Sequence, residues 1–491
     1  MTILAIDAGT TGVTALLVSP AGEVLSTGYA EFPQHFPADG CVEHELGEIW
    51  AATLAATRHA LTWGDVTITA IGITNQRETI CFWDRETLGG ARRAIVWQDR
   101  RSAALCVRLR EAGHEPFVTE ATGLRLDPYF SATKLAWVRE HEPAIWQRVV
   151  DGDVAIGTVD SYLIARMTRG LEHVTDATNA SRTLLYDIRS GAWSAELCAL
   201  FEVPIEALPR IVDSYGVVAR TEPSAFLGID APIAGIAGDQ QAALVGQAGF
   251  AAGATKCTYG TGSFLLQHTG SSIVRSQHGL LTTVALQHPG GVRDYALEGS
   301  IFVTGSAVQW LRDGLGIIHQ SAQVESLAAS VPDSAGLVFV PALTGLGAPD
   351  WDPQARGLII GITRGTTSGH IARATLEAIA FEVRDIVTLM ETESGAPLSA
   401  LHVDGGATAD DLLMQIQADA LGTIVDRSLH TQTTGLGAAY LAGLGTGVWS
   451  SIDELVDSRR SSGRFMPDRA RSYDDLYVRW RDAVERSKGW A

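Results

Sequence analysis

Along this chain apolar residues arrive in short runs, each closed by small or polar ones, and the period of the runs assigns the elements. Residues 3–7, Ile-Leu-Ala-Ile-Asp, and residues 13–18 and 23–29 read as three strands of a meander, the last two separated by the turn Pro20-Ala21-Gly22. Residues 49–61 carry apolar positions every three or four residues and predict a helix; the unbroken apolar run at 68–73 predicts a buried strand. The second half repeats this order, with strands across 256–267, a strand at 338–340, a helix over about 370–390 and a strand at 401–403. From Asp457 onward the chain is rich in Arg, Asp and Ser, and peripheral helices are expected there. The pattern predicts two related α/β domains, 1–247 and 248–491, meeting near the small, flexible run at 246–253. At 491 residues the chain exceeds what one core usually supports, in keeping with that division.

The repeat extends to a chemical feature. Asp7-Ala8-Gly9-Thr10-Thr11-Gly12 and Thr258-Tyr259-Gly260-Thr261-Gly262-Ser263 are both strand ends entering a tight glycine and threonine hairpin. Missing side chains there let backbone N–H groups approach phosphate oxygens, and hydroxyls add donors. Two such hairpins facing each other would hold one nucleotide between two lobes.

Composition narrows the functions this can serve. With 46% hydrophobic and 19% charged residues the chain is an ordinary globular one, and no apolar stretch approaches the length of a membrane span. No basic segment precedes the first strand, so no export signal is expected and a cytoplasmic location is the default. A net charge of −19 opposes binding to nucleic acid or anionic lipid. Five scattered cysteines without a C-x-x-C pair fit neither a disulfide framework nor a zinc site. There is no Gly-Lys for a Walker A loop, and Glu48 stands where His44-Glu45 would need a second histidine for a zinc-protease helix.

Polar clusters then mark where chemistry could lie. Asp7 closes an apolar strand just before the first hairpin, where a carboxylate could hold Mg²⁺ beside phosphates; the alternative is an Asx-turn. Asp239, after Gly235-Ile236-Ala237-Gly238, is either a helix N-cap or a carboxylate placed to take a proton from a hydroxyl attacking phosphorus, with Gln240 on another hydroxyl. Arg77 and Glu78 follow the strand at 68–73 and could be a surface ion pair or the donor and acceptor a polyol needs. Trp97 and Tyr129 sit beside polar residues, as core aromatics or as platforms for sugar CH faces. Gly405-Gly406 ends another apolar strand, where a flat base could lie.

Taken together, the runs ITNQRET, AIVWQDRR, GLRLDPYFSATK, VTDATNASRTLLYDI, GIAGDQQAALVGQ, YGTGSF, YALEGSIFVTG, TGLGAPDWDPQARG and LGAAYLAG resemble the FGGY carbohydrate kinases over nearly the whole chain, and on the substrate side the members that phosphorylate glycerol. The resemblance implies an α/β, two-domain actin-like ATPase (ribonuclease H-like) fold with internal duplication and an interdomain cleft. It also implies ATP and Mg²⁺ as cofactors. Arg77, Glu78, Trp97, Tyr129, Asp239, Gln240 and Phe264 would contact glycerol, with Asp239 as the base. Thr10, Thr11, Gly12, Thr261, Gly305, Gln309, Gly406 and Asp410 would line the nucleotide site, and Asp7 would lie by the metal.

Departures from the family pattern fall on the nucleotide side. Thr14 replaces an arginine, Gly12 a serine and Asp410 an asparagine, so a cation is lost and a carboxylate gained. Transfer to another small polyol or ketose, and a polyol sensor that no longer transfers phosphate, stay open as alternatives. So does self-association into a homo-oligomer.

Overall fold

The computed structural model describes residues 2–64 and 66–491, without the side chain of Ser458. Two mixed sheets organise it, and each repeats one plan. In the first, the strand Thr2–Ala8 is central. It pairs antiparallel with Gly12–Val18, which pairs with Val24–Glu31; on its other side run the parallel strands Ile68–Asn75 and Pro232–Gly238, then the antiparallel edge Tyr215–Arg220. In the second, Thr255–Tyr259 is central. It turns back into Ser263–Gly270, followed outward by Arg293–Ile301 and Leu281–Gln287. On its other side run Ala400–Asp404 and Ile424–Ser428 in parallel, then the antiparallel edge Ser461–Phe465. The first central strand is apolar without alternation from Ile3 to Ile6 because both sheet faces are covered, whereas the second buries Thr255 and Lys256 as well.

The cover explains why so many glycines and alanines occur where they do. Helix Leu46–Leu61 lies on the meander of the first sheet, so close that a Cβ on Gly28 would sit 2.0 Å from the carbonyl oxygen of Ala56. The opposite face is covered by helix Thr433–Thr446, which belongs to the second half of the sequence. A Cβ on Gly72 would meet the Ala438 carbonyl at 2.0 Å, and one on Gly437 the Ala242 carbonyl at 1.8 Å. Backbone approaches of this kind need residues without side chains at the crossing. The run 433–446 is therefore built for contact with the first sheet, although it follows the strands of the second.

A smaller layer is inserted into the first half. Strands Glu43–His44, Gly90–Ile95, Ile80–Asp84 and Val154–Gly157 form a four-stranded sheet with helices around it, and its loops carry Trp97 and Tyr129. One expected strand is found with a partner of its own, and one expectation needs correction. Val338–Val340 is a strand, but it pairs with Leu358–Ile360 in a separate two-stranded sheet, not in the second large one. The C-terminal stretch is more than peripheral helix. It supplies the edge strand Ser461–Phe465, and the helix Asp474–Ser487 buries Trp480, Ala483 and Val484 in the core of the second half. Its charge hid this role, since the apolar face is a narrow stripe among charged positions.

Candidate active site

Four of the polar clusters sit at the carboxyl ends of parallel strands, the usual crevice of an open α/β sheet. Asp7 lies near the end of Thr2–Ala8, Arg77 and Glu78 follow Ile68–Asn75, Asp239 follows Pro232–Gly238, and Gly405-Gly406 follows Ala400–Asp404. The chain thus brings residues far apart in sequence to one end of its two sheets.

Asp239 opens the helix Asp239–Gly246, with Gly238 in the N-cap place, so the N-cap alternative does not describe it. Its Oδ1 lies 3.1 Å from Nε of Arg77, which is buried. Nη1 and Nη2 of Arg77 donate to the two carboxylate oxygens of Glu298 at 2.6 and 3.1 Å. Arg182 donates to the same Glu298 from Nη2 at 2.9 Å and to Glu78 Oε1 from Nε at 2.6 Å. The surface-pair alternative for Arg77 and Glu78 therefore fails: both are buried and belong to a network of five charges. Burial opposes the charge on Glu298, but the two guanidiniums overcome it and bring its carboxyl down to about 2. Glu78 holds a left-handed backbone, φ 61°, which is strained for a residue with a side chain. Its carbonyl is tied by Ser131 Oγ at 2.9 Å.

One aromatic group borders this network. Trp97 meets Tyr129 and Phe264 edge to face, with centroids 5.6 and 6.3 Å apart. Phe264 comes from the second sheet, so the cluster spans both halves. Trp97 Nε1 donates to Thr10 Oγ1 at 2.9 Å, linking the cluster to the first hairpin. The Gln240 side chain is oriented by buried Lys256, whose ammonium donates to its Oε1, to Thr258 Oγ1 at 3.0 Å and to the Phe264 carbonyl at 3.3 Å. That leaves the Nε2 hydrogens of Gln240 as the groups it can offer a ligand.

Both hairpins turn their carbonyls into the protein. Gln76 Nε2 holds Gly9 O at 3.0 Å and Gln34 Nε2 holds Thr10 O at 2.7 Å. In the second, Gly260 O accepts from Gly305 N at 3.0 Å, and Thr261 O from Thr304 N and Ser306 N at 2.9 and 3.1 Å. Gly305 thus packs on the hairpin with Thr261, and Gln309 lies exposed one turn on in helix Gly305–Asp313. A Cβ on Gly405 would stand 2.4 Å from the Tyr259 carbonyl, which sets Gly406 beside the same hairpin. Thr11 is exposed, and Gly12 has its space filled by Tyr29, whose hydroxyl would lie 2.7 Å from a Cβ there. Asp410 caps the helix Asp411–Leu421, accepting from Leu413 N at 2.8 Å through Oδ1. Among the described residues, its Oδ2 is buried without a hydrogen-bond partner. Behind Gly406 a cavity of about 440 Å³ opens between Thr408, Arg427 and His430.

Residues 2–246 match the N-terminal domain, and residues 255–446 the C-terminal domain, of the FGGY family of carbohydrate kinases. The chain belongs to this family. Among FGGY kinases it is 53% identical to the glycerol kinase of Aromatoleum aromaticum, over 99% of each chain. It is 52% identical to that of Dechloromonas aromatica, over 100% of this chain and 98% of the relative. A Plasmodium falciparum glycerol kinase solved with ADP superposes with a TM-score of 0.92 at 35% identity, covering 99% of this chain and 98% of the other. A xylulose kinase from Lactobacillus acidophilus, 22% identical with a TM-score of 0.90, shares the fold. The two-domain actin-like ATPase fold expected for an FGGY kinase is the fold observed, duplication included. Among the described residues no helix is long and apolar enough to cross a membrane.

Three charged residues of the site were not singled out in the sequence: Arg182 and Glu298 of the network, and Lys256 beside Gln240. Each is a charge inside an otherwise small or apolar run, as in Tyr295-Ala296-Leu297-Glu298-Gly299. A charge in a buried strand demands a partner, and that was the available signal.

Proposed function

We propose that this chain is an ATP-dependent kinase that phosphorylates a terminal hydroxyl of glycerol, giving sn-glycerol 3-phosphate and ADP. The observation that carries the reading is the approach of Asp239 to buried Arg77, in a charged network that includes the acceptor Glu78 and is bordered by the aromatic group of Trp97, Tyr129 and Phe264. A short polyol offers hydroxyls to the first and CH faces to the second. Whole-length relatives named glycerol kinase support the choice of polyol.

In this reading Arg77 and Gln240 donate to substrate oxygens and Glu78 accepts from a hydroxyl. Asp239 takes the proton of the terminal hydroxyl as its oxygen attacks the γ-phosphorus, and the bond from that phosphorus to the β,γ-bridging oxygen breaks to leave ADP. Thr10, Thr11, Gly12, Thr261, Gly305, Gln309, Gly406 and Asp410 line the nucleotide site. Residues 1–247 supply the substrate side and the first hairpin, and 248–491 the nucleotide side.

The residues present fit a Mg²⁺ ion. Burial, and the nearby charge of Asp239, push the Asp7 carboxyl up to about 7, and a divalent cation held beside Asp7 would offset both. No group of three or more His, Cys, Asp or Glu among the described residues could hold a metal alone, which suits an ion that takes its other ligands from phosphate and water. When bound, Mg²⁺ would neutralise phosphate charge. ATP as substrate goes with a cytoplasmic setting.

The test is ADP release by the purified chain with Mg-ATP, with and without glycerol, beside Asp239→Asn. Glycerol-dependent turnover, lost by about 10²–10⁴-fold in the variant, is expected. ATP binding without stimulation by glycerol would point to another polyol, and glycerol binding without turnover to a sensor.

A further inference from the structure

The charges around the site run in one series, Asp239–Arg77–Glu298–Arg182–Glu78, and Arg77 Nε also stands 3.9 Å from Glu78 Oε1. The two ends of the series are the carboxylates read above as base and hydroxyl acceptor. Its middle, Glu298, comes from the other sheet, on strand Arg293–Ile301, where it stands opposite Leu266 and Leu281 in the ladders. Nothing in the packing of that strand calls for a charge.

We propose that Glu298 is a positioning residue for the transfer step, which holds Arg77 by both terminal nitrogens and so keeps Arg77 from closing onto Asp239. The inference rests on the reading of Asp239 as the base. A guanidinium offers five N–H groups and prefers a forked grip on one carboxylate. Here both Nη atoms of Arg77 grip Glu298, at 2.6 and 3.1 Å, and only Nε faces Asp239. Nη1 has one further acceptor, Gln241 Oε1, at 3.4 Å. Removing the Glu298 carboxylate orphans three buried N–H···O contacts, and the nearest carboxylates able to take them are Asp239 and Glu78. Arg77 would then engage Asp239 with its fork, occupying the oxygens that have to face the substrate hydroxyl. Glu298 thus acts on Asp239 through Arg77 without touching substrate. A purely structural ion pair would instead contribute to folding and leave turnover per folded site unaltered.

The experiment compares wild type, Glu298→Gln, Glu298→Asp, Arg182→Met and the pair Arg182→Met with Glu298→Gln, the last removing one charge of each sign. Thermal melts establish folding, and initial rates with glycerol and Mg-ATP give kcat and each KM. Wild-type turnover tests the underlying function; the variants test this inference. Glu298→Gln is expected to lose about 10²-fold in kcat, the lower range for an impaired general base, with the KM for ATP within about twofold. Glu298→Asp, which keeps a carboxylate, is expected to recover at least about tenfold of that loss. Arg182→Met is expected to raise the glycerol KM through Glu78 with a smaller change in kcat, and adding Glu298→Gln to it to drop kcat by the same 10²-fold. Folded Glu298→Gln with kcat near wild type overturns the proposal. Should that single variant fail to fold, an unchanged kcat between Arg182→Met and the charge-balanced pair overturns it equally.

Discussion

Replacing Asp410 by Asn should stabilise the protein, and by an amount that depends on pH. Asp410 uses Oδ1 to cap the helix Asp411–Leu421 and leaves Oδ2 buried without a partner. Burial raises its carboxyl, the bond from Leu413 N opposes this, and the charges of Glu325 and Asp411 add to the rise, bringing it to about 6 from an ordinary 3.8. An acid that binds its proton more tightly in the folded state loses stability as pH climbs from its unfolded to its folded pKa, here from about 4 to about 6, and the loss persists above. Each unit is worth about 1.4 kcal/mol, so the penalty is about 3 kcal/mol at pH 8 and about half that at pH 5. Asn keeps the capping oxygen and drops the charge. With an unfolding entropy of about 2 cal/mol/K per residue over the whole chain, melting should rise by about 3 °C at pH 8 and about 1.5 °C at pH 5. Calorimetry of both proteins at the two pH values tests this. A gain of equal size at pH 5 and pH 8, or a loss at pH 8, would refute the argument, because a cap or packing effect carries no such pH dependence.

Gly437→Ala should be among the most damaging single-methyl changes, since its Cβ would lie 1.8 Å from a backbone carbonyl that cannot rotate away. A loss of about 1–3 kcal/mol in denaturant unfolding is expected, and wild-type stability would contradict the packing of helix Thr433–Thr446 on helix Asp239–Gly246. Trp97→Phe keeps the ring but loses the bond to Thr10, worth about 0.5–1.5 kcal/mol. The glycerol KM should rise about three- to tenfold in steady-state kinetics, and an unmoved KM would show that Trp97 does not border the substrate. Lys256→Met strips the donor that fixes Gln240. A glycerol KM raised about tenfold, with stability lowered by about 2 kcal/mol, is expected from kinetics and melts of the same preparation; unchanged glycerol kinetics would free Gln240 from its proposed role.

What the sequence determined by itself was local. Strand and helix identity at 3–7, 13–18, 49–61, 68–73 and 401–403 followed from apolar period, because burial on one or both faces leaves a periodic trace in the chain. The two hairpins and the carboxylates beside them were legible for the same reason: glycine, threonine and aspartate at strand ends are rare enough to stand out. Charge periodicity failed at 457–491, where a narrow apolar stripe and an edge strand lie among exposed charges. At 338–340 the strand itself was legible, but a short strand carries no information about which sheet it joins. Only the tertiary structure could place helix Thr433–Thr446 against the first sheet, an arrangement specified by contacts between residues hundreds of positions apart, such as Gly72 with Ala438. Only it could reveal that Glu298 and Arg182 connect the two acids of the site. In the sequence each is a single charge in a quiet run; its partner, and so its purpose, is fixed by which strand ends the fold brings together.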